Sequence, residues 1–174
     1  VDQASPAGTP ASAPADRDAY DHAKGAHYAY LLPGDLIGSK KPIVARTVLG
    51  SCVAVCMWDP ITAAAGLCHY LLPTWSRVGL PSAQYGDVAL SELTEKLLHL
   101  GAERAHLRAK VYGGACMLQA FHARPDHIGT QNISVALHTL SALGIPIVDQ
   151  RVGGVKGMKI TFDFGTAQST VALI

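Results

Sequence analysis

Between Val44 and Trp58 the chain reads VARTVLGSCVAVCMW, a valine-rich stretch whose one charged side chain is Arg46 and which is closed by Asp59 and Pro60. A short apolar run of this kind, bounded by turn residues, predicts a strand buried on both faces rather than a helix. A second run follows at Ala63 to Leu72 (AAAGLCHYLL) and stops at Pro73, and the DPIT link between the two predicts a hairpin. Strands with two buried faces need partners above and below, which already argues for a layered body.

The remaining segments supply those layers. Residues 74–86 (TWSRVGLPSAQYG) lack a period and read as a loop. Asp87 then stands as a helix N-cap, Leu90, Leu93, Leu97 and Leu100 form one apolar stripe, and Gly101 fits the first position past the helix. A strand is predicted over Ala105 to Tyr112, with Leu107, Ala109 and Val111 on one face and His106, Arg108 and Lys110 on a face that meets water or a polar site. Ile133, Leu137, Leu140 and Leu143 mark a second helix, stopped by Gly144 and Pro146; Ile147 to Val152 follow as a strand. Lys159 to Phe164 and Ser169 to Leu173 form a hairpin around GTAQ, and HYAYLL at 27–32 is a short strand or arm. About seven strands and two long helices give an α+β body in which helices cover a mixed or antiparallel sheet. Its main part begins near Pro42.

At 174 residues and 49% apolar composition the chain has material for one domain and a sizeable core. Fourteen basic and thirteen acidic side chains leave a formal charge of +1, which gives no source for polyelectrolyte binding of nucleic acid. No apolar run approaches the roughly 20 residues that span a bilayer, and the start of the chain lacks the order of a secretory signal. Soluble, cytoplasmic placement is therefore expected, with Cys52, Cys56, Cys68 and Cys116 as free thiols in a reducing compartment. Residues 1–26 are expected as a tail, disordered over the Ala, Ser and Pro-rich opening, and 27–174 as the domain.

Chemistry concentrates at GSC, residues 50–52. Small residues before the thiol let another backbone approach, and the N–H groups of Ser51 and Cys52 are candidates for holding an oxyanion. A sulfur nucleophile needs an imidazole to take its proton and return one to a leaving amine, and His69 on the neighbouring strand is the candidate. Of the other seven histidines, His22 and His27 fall in or near the tail, His99 at a helix end and His138 within a helix, while His106, His122 and His127 read as exposed polar side chains. Thr47 stands ready to orient His69 or a substrate amide. Ser51 is the competing nucleophile, but a thiol pKa of about 8.5 favours Cys52. Zinc is the chemical rival; Cys52 and Cys56 lie on the same face of a strand but about 13 Å apart along it, too far for one ion. The glycines of VGGVKGMKITF read as a turn entering a strand, not as a phosphate loop.

Six blocks together, TVLGSCVAVCMWDP (47–60), GLCHYLLP (66–73), YGDVAL (85–90), KVYGGACM (110–117), IGTQN (128–132) and DQRVGGVKGMKITF (149–162), resemble the chemoreceptor glutamine deamidase family, CheD. The resemblance implies a single-domain α/β/β layered sandwich, related to the catalytic domain of glutamine-deamidating toxins, and no cofactor or metal. It implies Cys52 as nucleophile and His69 as base. The family threonine falls on Thr47 or on the preceding position, held here by Arg46, and one residue in a strand changes the face. The chain departs from the family pattern at Met158, where arginine is common, and in GTAQS at 165–169.

By the same resemblance the substrates are glutamine side chains on the cytoplasmic helical region of chemotaxis receptors, converted to glutamate with release of ammonia, and some members also bind the phosphatase CheC. Tyr85, Tyr112 and the loop at 74–86 are expected around the mouth of the site. Two alternatives share the surface: a non-enzymatic receptor- or CheC-binding adaptor, and a methylesterase acting on receptor glutamyl esters.

Overall fold

The computed structural model describes Asp18–Asp21 and residues 26–121 and 124–174. Along the chain these residues form β1 (Asp18–Asp21), β2 (Ala26–Tyr30), β3 (Leu36–Ser39), β4 (Ile43–Leu49), β5 (Val53–Trp58), β6 (Ala65–Tyr70), α1 (Gly86–His99), β7 (Arg108–Gly113), α2 (Ile128–Ala142), β8 (Ile147–Val152), β9 (Met158–Asp163) and β10 (Gln168–Leu173). Two five-stranded sheets result, in the orders β1-β2-β4-β9-β10 and β3-β6-β5-β7-β8. Each is mixed, with one parallel pair, β2/β4 in the first and β7/β8 in the second.

The α+β class, both helices and the hairpins β5/β6 and β9/β10 follow the sequence reading. Its largest departure is the stretch Val44 to Trp58, which is two strands in different sheets rather than one strand. Apolar residues flank the break on both sides, so composition alone conceals it; the chain passes between sheets at Gly50, Ser51 and Cys52. The body also starts before Pro42, since β3 pairs with β6. Asp18–Asp21, inside the segment expected as tail, pair with β2.

Burial follows from the position of each strand. In β5 and β6 nearly every residue is buried, whereas β4 buries only Ala45, Thr47 and Leu49 fully. Val53, Val55 and Met57 of β5, with Cys68 and Tyr70 of β6, pack against Leu90, Leu93 and Leu97 of α1 and Ala136 and Leu140 of α2. The alternate residues, Ala54 and Cys56 with Leu67, meet Ala45 and Leu49 of β4 and Ile160 and Phe162 of β9. Period-two alternation thus sends one face of the second sheet to the helices and the other to the first sheet.

Both helices stop for the same backbone reason. At the end of α1, Gly101 adopts φ +91° while its N–H donates to Leu98 O and that of Ala102 donates to Leu97 O. At the end of α2, Gly144 adopts φ +69° with bonds from Gly144 to Ser141 O and Ile145 to Leu140 O. These are Schellman closures, which use a left-handed residue to satisfy the last carbonyls. The start of α1 differs from expectation. Tyr85 holds the N-cap position, and Asp87, in the first turn, accepts from Val88 N and from Trp75 N at 3.0 Å, fastening the preceding loop.

Candidate active site

Gly50 begins the crossover beside Met117, whose Sδ would lie 2.6 Å from a Cβ there and would have to move aside. The crossing backbone is held by its carbonyls: Ala115 N donates to Gly50 O at 2.9 Å and Gly114 N to Cys52 O at 2.8 Å. Asn132 Nδ2 donates to Ser51 O at 3.0 Å. Gly113, at φ +108°, passes so close that any Cβ would collide with the Cys52 carbonyl. Cys52 is therefore placed one residue before β5 by contacts from β7, the loop after it and α2.

The β5/β6 register sets His69 opposite Ala54. Cys52 precedes Ala54 by two residues and packs against the apolar cluster between the sheets, the cluster to which Ala54 belongs. His69 reaches into the same space, since its Nδ1 lies 2.8 Å from Thr47 Oγ1 on β4 of the other sheet. Cys52 and His69 therefore both border the inter-sheet side.

Thr47 is fully buried, and its hydroxyl also donates to Leu31 O at 2.7 Å. A carbonyl oxygen is only an acceptor, so the single hydroxyl proton goes to Leu31 and the imidazole must supply the proton of the other bond. His69 is consequently the Nδ1–H tautomer, with a bare Nε2. That Nε2 is buried and has no hydrogen-bond partner among the described residues. Its main chain is fixed as well: Gly34 N donates to His69 O at 2.7 Å and His69 N to Asp35 O at 3.0 Å. Arg46, one residue away, points to the opposite face, its guanidinium carbon 4.3 Å from the centre of the Tyr28 ring. Of the two positions matched to the family threonine, only Thr47 meets His69.

Burial is the main electrostatic influence on the pair. It pushes the imidazole of His69 down to about 4, against the opposing pull of the Leu31 carbonyl and the Asp35 charge. Burial also raises the Cys52 thiol, opposed by its own backbone N–H. At neutral pH the pair is thus thiol and neutral imidazole. Cys56 and Cys68 are fully buried, and desolvation raises Cys68 to about 12, so neither competes as nucleophile.

Ser51 turns away from the imidazole. It lines a cavity of about 390 Å3 with Ala115, Cys116, Met117 and Leu118, of which neither Cys52 nor His69 forms a wall. Among the other histidines, His99 bonds its own helix at Glu95 O, His106 faces Asp59, and His127 caps α2. His27 and His138 are exposed, and His22 and His122 lie outside the described residues. Tyr112 does not border a mouth; it is fully buried between the sheets, its hydroxyl donating to Asp149 Oδ2 at 2.6 Å. The reason is register, since Tyr112 pairs with Ala54 on the inward face. Tyr85 occupies the N-cap position of α1 beside the loop at 74–86.

Two residues that bond the candidate site are not singled out by the sequence. Leu31 acts through a main-chain oxygen, which no side-chain pattern reveals. Asn132 closes IGTQN, outside the apolar stripe by which that helix is recognised.

Comparison with known proteins places the chain. The model of the CheD family, described as CheD chemotactic sensory transduction, matches residues 71–172. A probable chemoreceptor glutamine deamidase CheD of Rhodospirillum rubrum is 45% identical over 145 residues, covering 83% of this chain and 81% of the relative. A probable chemoreceptor glutamine deamidase CheD 1 of Anaeromyxobacter dehalogenans is 41% identical over 138 residues, 79% of this chain and 80% of its own. That of Sulfurimonas denitrificans is 41% identical over 135 residues, 77% of this chain and 86% of its own. The family-model match begins past His69, but a stretch covering 83% of the chain cannot be laid on it without taking in Thr47, Cys52 and His69. By the matched model and by relatives that align over most of both chains, this protein belongs to the CheD family.

Proposed function

We propose that this chain is a cytoplasmic, thiol-dependent protein-glutamine deamidase acting on the helical cytoplasmic region of chemotaxis receptors. The observation that carries the reading is the bare, buried Nε2 of His69, whose tautomer is set by Thr47 and Leu31 and which shares the inter-sheet side with Cys52. The names of the relatives supply the substrate class. The fold is taken as an α/β/β sandwich, with the pair at the junction between its two sheets.

In the first half-reaction Nε2 takes the thiol proton as sulfur attacks the carboxamide carbon, and the N–H groups of Ser51 and Cys52 receive the oxyanion. The carbonyls of these residues carry structural tethers, and their N–H groups are the proposed oxyanion donors. The tetrahedral species collapses as the imidazolium returns its proton to the nitrogen, the C–N bond breaks and ammonia leaves a thioester. Water then attacks, Nε2 accepts its proton, the C–S bond breaks and the proton returns to sulfur. Glutamate and free thiol result, with each proton accounted for by one nitrogen. No cofactor enters this sequence.

The test is mass spectrometry and ammonia release on a cytoplasmic receptor fragment treated with wild type, Cys52→Ala and Cys52→Ser. A gain of about one dalton that depends on Cys52 is expected from exchange of an amide for an acid. Full activity in both variants rejects the nucleophile, methanol release from esterified fragment without amide loss selects the methylesterase, and binding of receptor or of the phosphatase CheC with no mass change selects the adaptor.

A further inference from the structure

We infer that Asn132 is a positioning residue that sets the spacing between thiol and imidazole by bracing the ends of their two strands. The inference rests on Cys52 and His69 being the reacting pair. The β5/β6 ladder stops at Val53 opposite Tyr70, so Cys52 and Leu71 lie just past its last rung. At that point Asn132 Nδ2 donates to Ser51 O and to Leu71 O, each at 3.0 Å. Ser51 directly precedes the nucleophile and Leu71 lies two residues after the base. One carboxamide nitrogen therefore holds together the two strands where their own pairing ends.

Burial makes this a costly choice of side chain. Asn132 is fully buried on the helix face that continues through Ala136 and Leu140, where an apolar residue would extend the stripe. Both partners of Nδ2 are carbonyls, so the amide orientation is dictated by donor and acceptor chemistry. In that orientation Oδ1 is buried with no hydrogen-bond partner among the described residues. An amide that leaves its own acceptor unpaired is a poor packing residue, and what it provides is the two-carbonyl clasp.

A second tie joins the same elements. Tyr70, the neighbour of His69, donates its hydroxyl to the main-chain carbonyl of Asn132 at 2.7 Å. The start of α2 is drawn in tightly, with Gly129 packed directly on the Gly114 backbone, which itself bonds Cys52 O. The helix thus grips the nucleophile's strand and the base's strand at once.

The experiment compares Asn132→Ala with Leu140→Ala, which opens a void in the same helix while leaving both Asn132 hydrogen bonds in place. Alkylation of Cys52 by iodoacetamide is followed by peptide mass spectrometry as a function of pH, and kcat and KM are measured for ammonia release from a receptor fragment. Asn132→Ala is expected to shift the pH profile of Cys52 alkylation and to lower kcat about tenfold to a hundredfold, with KM within about threefold. Leu140→Ala is expected to lose thermal stability and keep both the profile and kcat. Asn132→Ser, which retains a hydroxyl donor in a smaller side chain, takes the place of Asn132→Ala if the latter does not fold. A wild-type profile and kcat in the folded Asn132 variant overturn the brace, as does an equal shift in Leu140→Ala. Ammonia release retained by Cys52→Ala instead overturns the reading of the reacting pair itself.

Discussion

Replacing Thr47 by valine keeps the branched shape and removes the hydroxyl that stands between Leu31 O and His69 Nδ1. Both groups are then left without that partner in a fully buried place. Each orphaned buried group costs about 1–3 kcal/mol, so a loss of stability of about 2–6 kcal/mol is expected. The chemical effect is separate. Without an acceptor at Oγ1, nothing holds the proton on Nδ1, and the imidazole that carries it on Nε2 cannot act as base toward sulfur. Losing about 1.5–3 kcal/mol of preference for the productive tautomer lowers kcat about tenfold to a hundredfold, at 1.36 kcal/mol per decade. KM is expected to stay within a few-fold, and Thr47→Ser, which keeps the hydroxyl, to recover most of the rate. Ammonia release gives the kinetic constants, and nitrogen NMR of the His69 ring reports which nitrogen is protonated. Thr47→Val with wild-type kcat and a ring still protonated on Nδ1 would refute the role of the hydroxyl.

His69 titrates near 6.5 when unfolded and near 4 when folded, so between those values the unfolded chain holds the extra proton and stability falls as pH drops through the window. The total is about 3 kcal/mol, and denaturant titrations of wild type against His69→Gln between those pH values are expected to show it as a difference in slope; parallel curves would contradict it. Since burial raises the Cys52 thiol, its alkylation in the substrate-free protein is expected to have its midpoint above 9.0, and a midpoint below that value would indicate an ion pair instead. Gly113→Ala places a Cβ against the Cys52 carbonyl in a left-handed conformation; a loss of more than about 2 kcal/mol is expected, with faster hydrogen exchange at Gly114, and an unchanged melting temperature would show that the crossover has slack.

Legibility followed periodicity. The leucine stripe of α1 and its stop at Gly101 were readable because a single period and a left-handed residue carry them. The hairpins were readable because short links constrain antiparallel pairing. The break between β4 and β5 was hidden because both strands have apolar faces and the turn that separates them is only Gly, Ser and Cys. Cys52, His69 and Thr47 could be picked as candidates, but the face each occupies depends on that break. A straight strand through residue 52 would have kept Thr47 in the same sheet as Cys52, whereas the crossover puts Thr47 across from His69. Tyr112 was misjudged for a related reason: alternation gave its side, and only the second sheet shows that this side is sealed.

Because Thr47 belongs to one sheet and His69 to the other, the location of a single proton is decided by how two slabs of backbone are seated on each other. Ala45, Leu49, Ile160 and Phe162 carry no polar side-chain group, yet they form the cluster on which that seating rests. Enlarging or shrinking any of them is expected to move the hydroxyl relative to the imidazole, so the oily interior works as the adjustment screw of the proposed base.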